Sequence, residues 1–315
     1  MLDTEGNIMK KITNILVVMD AASDHQSALV QAINIAEKTS ANIELFLVAY
    51  NSQFVSHWNF NQAQLDALQN EYIASKLRWL ETYSLEVKAL DIVVNTDVVW
   101  HSDVSCAVLA KIASDGASIV IKSTKQDSAL NRIFFTPGDW QLLEHCPVPL
   151  LLTKNIRDYS YRTVMAAVDP ERTHDKPEKL DADILQAELV MAELFDSKAH
   201  VCHCYQPMGI ELWQGMNAVG MDHSIASGDF NDYSDAIKYH HQVVFDELLS
   251  PFTFDEKSTH LVSGSPEYEL PELVKTHDVD LLVMGMGNNG KFIGNTIEKI
   301  LDNVECDILS IRCLR

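Results

Sequence analysis

The residues best suited to chemistry lie near the end of the chain, in the stretch LLVMGMGNNGKFIGNTIEKIL from Leu281 to Leu301. This stretch follows the pattern of a buried strand with a glycine-rich loop and then a helical pattern. Its glycines are Gly285, Gly287, Gly290 and Gly294. Glycine lets backbone N–H groups approach an anion closely, and a helix N-terminus attracts negative charge. The stretch therefore predicts a phosphate site, while glycines that only turn the chain remain the alternative.

Two specific nucleotide motifs do not fit this loop. Gly285, Gly287 and Gly290 spell G-x-G-x-x-G. A dinucleotide fingerprint, however, opens the first unit of a domain and ends in an acid that closes the next strand. Here the candidate acid, Asp307, would begin a strand. The loop also nearly spells a P-loop, but Phe292 stands where the Mg²⁺-binding hydroxyl should be, so Walker-type ATP hydrolysis is not expected.

The helix that follows the loop strengthens the general anion site. Asn295 is predicted to be its N-cap, and Glu298 stands at the position that completes a capping box. In open α/β folds, a helix start at the carboxyl end of a parallel sheet is where phosphate binds. We therefore expect the ligand at this end of the sheet.

The chain contains one structural unit twice. The run NILVVMD, Asn14 to Asp20, has a counterpart in TVMAAVD, Thr163 to Asp169, and each is followed by a helical pattern. Apolar strands then alternate with amphipathic helices in the same order in both halves. This alternation predicts two tandem doubly wound α/β domains with parallel sheets. The boundary falls in NIRDYSYR and divides the chain into domains at 1–156 and 157–315.

Composition narrows the class of protein. The net charge of -21 over 315 residues argues against a protein that coats nucleic acid or an anionic membrane. The first residues, MLDTEGNIMKK, contain no apolar signal segment. No apolar run reaches the roughly 18 residues of a membrane span. The six cysteines form no regular framework and read as reduced thiols, so we expect a cytoplasmic protein.

These motifs together resemble the universal stress protein family. The resemblance rests on an aspartate after the first strand, a late glycine loop, and the stretches VVWHSD, IFFTPGDWQLLEHCP and GNTIEKILDNVECDILSI. It covers essentially the whole chain. It implies an adenine nucleotide alpha hydrolase-like fold in which the tandem halves form an intramolecular pseudo-dimer, with their last strands meeting at the inner interface. Some family members bind ATP, few have a firm catalytic activity, and tandem members are linked to survival of stress, including DNA-damaging agents.

The resemblance carries ligand-binding roles onto the second half only in part. Asp169 matches the family's contact with the adenine edge, and Cys204 lies where an apolar residue packs beside the ring. Asn295 replaces the family's hydroxyl residue, and the interval from Gly285 to Gly294 is several residues shorter. The shortened loop supplies fewer N–H donors, so binding of a triphosphate should be weakened, while a monophosphate or diphosphate remains a candidate ligand. The candidate ligand residues are Asp169, Cys204, Met284, Gly285, Gly287, Gly290, Gly294, Asn295 and Thr296.

The first half departs further from the family pattern. It keeps Asp20 as a weak counterpart, but no glycine stands at its loop entrance. Thr136 and Pro137 supply an N-cap and a first-turn proline, and Asp139 stands at the capping-box position. The cations Lys122, Lys125 and Arg132 are interpreted as a charged, solvated loop. We expect this half to be a structural partner without a nucleotide.

A methionine- and tryptophan-rich segment follows the second strand of the second half. It reads QPMGIELWQGMNAVGMDHSIASGDF and contains Met208, Trp213, Met216 and Met221, with Met191 upstream. Methionine adapts to varied apolar shapes, so the segment could cover a cavity for an amphiphilic ligand. It could equally pack between the two halves.

The histidines suggest no metal centre. In HVCHCY, a strand places His200, Cys202 and Cys204 on one face and His203 on the other. No second ligand pair at zinc-like spacing is visible, so no metal is expected. The adjacent pair His240–His241 falls on a predicted helix beside acidic residues and is interpreted as solvated.

The sequence thus favours a non-catalytic, cytoplasmic stress-response protein. Its second half would hold ATP, ADP, AMP or another phosphorylated ligand. Three alternatives remain: a lipid-like phosphorylated ligand under the methionine-rich segment, a weak ATPase, and a scaffold without a ligand. Direct binding of nucleic acid is not expected, and further homodimerisation is left open.

Overall fold

A computed structural model describes most of the chain. The described residues are 12–54, 61–127, 132–154, 160–171, 179–207, 209, 230–286 and 295–312.

The first half alternates strands and helices as the sequence predicts. Its elements are β1 (Asn14–Val18), α1 (Ser27–Thr39), β2 (Asn42–Ala49), α2 (Gln62–Lys88), β3 (Val94–Trp100), α3 (Val104–Asp115), β4 (Ile119–Ser123), β5 (Lys125–Asp127), β6 (Arg132–Phe134), α4 (Pro137–His145) and β7 (Leu150–Thr153). Strands β5 and β6 form a small antiparallel hairpin in a segment that the sequence interpretation treats as a loop.

The second half repeats this order. Its elements are β8 (Thr163–Ala167), α5 (Leu180–Phe195), β9 (Lys198–Tyr205), α6 (Phe230–Leu249), β10 (Thr259–Ser263), α7 (Pro266–Thr276), β11 (Leu281–Met286), α8 (Asn295–Asn303) and β12 (Asp307–Arg312). The predicted tandem α/β repeat is confirmed.

The two halves share one ten-stranded sheet in the order β10-β9-β8-β11-β12-β7-β4-β1-β2-β3. Neighbours within each half are parallel, whereas β12 and β7 pair antiparallel across the middle. Leu309 lies opposite Leu151 at this seam. The last strands of the two halves therefore meet at the inner interface, and the pseudo-dimer is built into a continuous sheet.

Helices cover both faces of the sheet, as buried parallel strands require. Helices α1, α2, α5 and α6 contribute to the core on one face, and α3, α4, α7 and α8 to the core on the other. The strands in the middle of the sheet are buried on both sides, and all 4 residues of β7 are buried. This packing fixes the strand ends that carry the candidate site.

A buried polar cluster joins the halves beside the seam. The Tyr161 hydroxyl donates to Asp307 Oδ2 at 2.7 Å, and the Lys154 backbone N–H donates to Asp307 Oδ1 at 2.8 Å. Lys154 Nζ donates to the carbonyls of Leu301 and Val304 at the end of α8. Burial raises the pKa of Asp307. As the sequence predicts, Asp307 begins a strand. Its carboxylate accepts hydrogen bonds at the junction of the two halves.

Candidate functional site

The candidate site lies where the strand order of the second half reverses. The chain leaves β8 toward β9 on one side, whereas β11, the other neighbour of β8, leads toward β12. Crevices at the carboxyl ends of such strands are where open α/β sheets bind ligands. Asp169, two residues after β8, is half-buried there, and its backbone N–H donates to Asp181 Oδ1 at 3.0 Å.

Acidic side chains concentrate at this edge. Asp181 and Asp183 lie buried in the first turn of α5. Burial raises the pKa of Asp183, against the opposing effect of Lys179. Within the described residues, Asp183 Oδ2 has no hydrogen-bond partner. The edge is therefore rich in hydrogen-bond acceptors, which suit ligand amino and hydroxyl groups better than phosphate.

A series of contacting histidine side chains reaches the same edge, and the sequence interpretation missed it. His203 Nδ1 lies 3.3 Å from the Val168 carbonyl, and His203 Nε2 lies 2.9 Å from His241 Nδ1. Glu171 stands at the end, 3.7 Å from His241 Nε2 and 2.6 Å from His240 Nε2. His241 is buried, so its expected solvation was wrong. Consecutive helical residues point about 100° apart, so only His240 stays exposed.

The protonation of these histidine side chains follows from their geometry. Burial lowers the pKa of His203, as does the neighbouring His241. Burial also lowers the pKa of His241, with Glu171 opposing. With His203 Nδ1–H donating to the Val168 carbonyl, His203 Nε2 must accept from His241 Nδ1–H. A further proton on His241 would then face Glu171, so this edge can take up one proton.

The strand residues predicted to open the glycine loop have packing roles. The Met284 side chain is buried in the core next to the sheet. A Cβ on Gly285 would meet Ile184 Cδ1 at 2.7 Å and Leu180 Cδ2 at 2.9 Å, because α5 packs directly on the strand. A side chain at this position would displace Ile184 and Leu180, so Gly285 has a packing role whatever the ligand.

Cys204 lies near the carboxyl end of β9 and is half-buried. Burial raises the pKa of its thiol to about 12. A thiol that stays protonated is a poor nucleophile, so Cys204 can pack against a ligand but is not suited to attack one.

The glycine loop itself lies outside the described residues. Gly287, Gly290 and Gly294 fall within this part of the chain. The described backbone resumes at Asn295, where α8 begins with Asn295 and Thr296. The helix thus starts one residue earlier than an Asn295 N-cap would give. The phosphate site on this loop stays a prediction.

In the first half, the corresponding helix start holds a carboxylate of the chain itself. Asp139 Oδ2 accepts from the Thr136 N–H and from the Thr136 hydroxyl, each at 2.7 Å. Lys122 Nζ lies 2.6 Å from Asp139 Oδ1, and both side chains are largely buried. The expected solvation of Lys122 was therefore wrong, because its ammonium neutralises Asp139 inside the fold.

The remaining strand ends of the first half are also held by polar groups of the chain. Asp20 Oδ1 accepts from the Ala22 N–H at 2.9 Å, and Gln26 Nε2 donates to the Asp20 carbonyl at 2.7 Å. Ser123 Oγ accepts from the Ala28 N–H at 3.0 Å, at the start of α1. These bonds satisfy backbone groups of the first half without a ligand.

One cluster in the described residues could hold a metal. The ligand atoms of His200, His260 and His277 all lie within 4.8 Å of one another. The sequence interpretation considered only His200, because the other two rings come from separate elements.

The structure defines a class of protein: a tandem α/β fold with an acidic edge at the carboxyl ends of the strands in its second half. Comparison with known proteins leads to the same class. The sequence model of the universal stress protein family matches residues 11–154 and again residues 160–312. The chain therefore belongs to this family, with two tandem domains, and shares its general role in the stress response. No helix in the described part of the chain is long and apolar enough to cross a membrane.

Individual relatives match this chain over nearly its whole length. Universal stress protein E of Photorhabdus laumondii is 26% identical over 312 residues, covering 96% of both chains. Universal stress protein E of Escherichia coli K12 is 25% identical over 309 residues, covering 96% of this chain and 95% of its own. A protein of unknown function from Pseudomonas aeruginosa, PA1789, has a similar fold, with a TM-score of 0.72 at 22% identity over 97% of this chain and 94% of its own.

Proposed function

We propose that the second half binds an adenine nucleotide or another phosphorylated ligand without catalytic turnover. The protein would act in the cytoplasm during stress, including exposure to DNA-damaging agents. The position of Asp169 carries this proposal. It is a half-buried acid at the point where the strand order reverses, next to a helix start rich in further carboxyls.

The charges at this edge determine the orientation of the ligand. The carboxyls of Asp169, Asp181 and Asp183 would repel phosphate but accept hydrogen bonds from an adenine amino group or ribose hydroxyls. The base and sugar would therefore face α5, and the phosphates would extend toward the loop 287–294 and the start of α8.

Binding without turnover is proposed because the loop lacks a metal-binding hydroxyl. Phe292 stands where a P-loop carries Ser or Thr. In the same site, the thiol of Cys204 is held protonated by burial, which raises its pKa. The loop therefore lacks the Mg²⁺ ligand of a P-loop, and the protonated Cys204 thiol is a poor nucleophile.

The first experiment is calorimetric titration of the ligand-free chain with ATP, ADP and AMP. One site is expected, with ATP bound no more tightly than ADP because the glycine loop is short. Asp169→Ala should weaken binding at least tenfold, since it removes a hydrogen-bond acceptor at the base. The matched variant in the first half, Asp20→Ala, should leave the affinity unchanged.

The outcomes separate the alternatives. An absence of heat with all three nucleotides would contradict nucleotide binding. A co-purifying lipid-like mass in native mass spectrometry would favour the amphiphilic ligand, and Mg²⁺-dependent turnover would favour a weak ATPase. A scaffold remains if every assay is negative. If binding is confirmed, the Asp169→Ala variant should also fail to restore the survival of a deletion strain after DNA damage.

A further inference from the structure

Three histidines converge at the outer end of the sheet. His200 lies on β9, His260 on the edge strand β10, and His277 directly after α7. His200 Nδ1 is 3.0 Å from His260 Nε2, and the two rings are nearly parallel, with an interplanar angle of 6°. The His277 ring centroid lies 4.4 Å from that of His260 and 5.2 Å from that of His200.

This cluster is separate from the proposed nucleotide site. His200 is the third residue of β9, and His260 is the second residue of β10, so both lie toward the amino ends of their strands. Asp169 follows the carboxyl end of β8. The two sites therefore lie toward opposite ends of the parallel strands and can be tested independently.

Burial lowers the pKa of His200. No carboxylate in the described part of the chain lies within ion-pair distance of the three rings, and the neighbours His277 and Lys198 lower the pKa of His200 further. Burial lowers the pKa of His260 to about 4, helped by His277 and His200. Neutral imidazoles present lone pairs, which is the form that binds metals.

The distances suit tetrahedral coordination. Two nitrogens bound to one Zn²⁺ at about 2.0–2.1 Å lie about 3.3 Å apart in a tetrahedron. The His200–His260 nitrogen pair, at 3.0 Å, is already near this separation. The most distant pair of ligand atoms, within 4.8 Å, must approach by at most about 1.5 Å, which side-chain rotation can provide.

We propose that His200, His260 and His277 form a binding site for a divalent transition-metal cation of the zinc class. His260 and His277 are half-buried, so water can reach the fourth coordination position. The cation would connect β10 to β9 and α7. It would thereby hold β10, which pairs with one strand only among the described residues.

The test is titration of the full-length, chelator-treated chain with Zn²⁺ in competition with a chromophoric chelator. One equivalent is expected to bind, and each of His260→Ala and His277→Ala should weaken it at least tenfold because a direct ligand is lost. Bound Co²⁺ should show the strong visible absorption of four-coordinate cobalt in the wild type and lose it in both variants.

Two matched variants control for other donors. His145→Ala removes an exposed histidine, and Cys106→Ser removes the exposed thiol; both should bind Zn²⁺ like the wild type. Near-ultraviolet circular dichroism checks folding, and His277, half-buried after the end of a helix, is the replacement least expected to disturb it. The proposal is overturned if the wild type takes up no stoichiometric Zn²⁺. Folded His260 and His277 variants that bind as tightly as the wild type would overturn it equally.

Discussion

At the scale of single residues, matching positions of the two halves hold different residue types that serve different purposes. Ser123 holds the start of α1 with its hydroxyl, whereas Gly285, at the matching position of β11, lies under Ile184 and Leu180. The glycine that the motif assigns to a ligand loop is thus needed first for packing. A loss of function at Gly285 would not by itself identify a phosphate contact.

Replacing Gly285 with Ala should destabilise the protein by about 1–2 kcal/mol, because the new methyl group overlaps Ile184 Cδ1. Ile184→Val removes that atom and should recover part of the loss in the double variant. Urea unfolding measures both effects. Gly138→Ala is the control, since its Cβ would meet only Thr136 Oγ1 at an ordinary 3.7 Å. Strictly additive single effects would argue against the packing role.

At the scale of elements, α5 is buried along most of its length and carries the carboxyl of Glu188 into the core. Glu188 is fully buried, and its carboxyl oxygens make no hydrogen bond of normal geometry to the described residues, although the His200 backbone N–H lies near them. Burial raises the pKa of Glu188 to about 9. The helix therefore keeps a neutral carboxyl at pH 7, at a cost to folding stability.

The raised pKa of Glu188 determines the direction in which folding stability changes with pH. The folded pKa of Glu188 exceeds its unfolded value of 4.5, so stability from this group is complete below pH 4.5 and is lost as pH rises through about 9. Glu188→Met should therefore stabilise the protein at pH 7 by about 2 kcal/mol, and by more at pH 8. Urea unfolding at pH 5, 7 and 8 measures this. Glu193→Met, exposed on the same helix, should give little change at any pH. A stabilisation by Glu188→Met that does not grow with pH would contradict the buried-carboxyl explanation.

At the scale of the whole molecule, the seam between β7 and β12 makes one folding unit of the two repeats. The sheet runs through it without interruption, and Tyr161, Lys154 and Asp307 close a buried polar cluster beside it. Lys154 of the first half binds the last carbonyls of α8 in the second. A substitution that destabilises this junction should therefore lower the stability of both halves.

Tyr161→Phe tests this coupling. It removes the hydroxyl that donates to Asp307 and leaves a buried carboxylate oxygen without that bond, which costs about 1–3 kcal/mol. Calorimetry should show a single unfolding transition that moves to lower temperature. Tyr239→Phe, at a side chain that is 73% exposed, should leave the transition in place. Two separate transitions, of which only one moves, would show that the halves unfold independently.

The sequence by itself determined the repeat, the order of strands and helices, the capping box of α4 and the family. Each of these depends on residues close together in the chain, where apolar periodicity and capping chemistry act locally. Asp307 at the start of its strand belongs to the same group.

Only the tertiary structure decided which distant side chains meet. His200, His260 and His277 come from three elements, as the Lys122–Asp139 pair and the His203–His241 contact each come from two. Strand order and helix packing bring them together, and no spacing along the chain encodes such encounters. Burial at these meeting points then sets which groups are charged, because the cost of removing a charge from water depends on the complete fold.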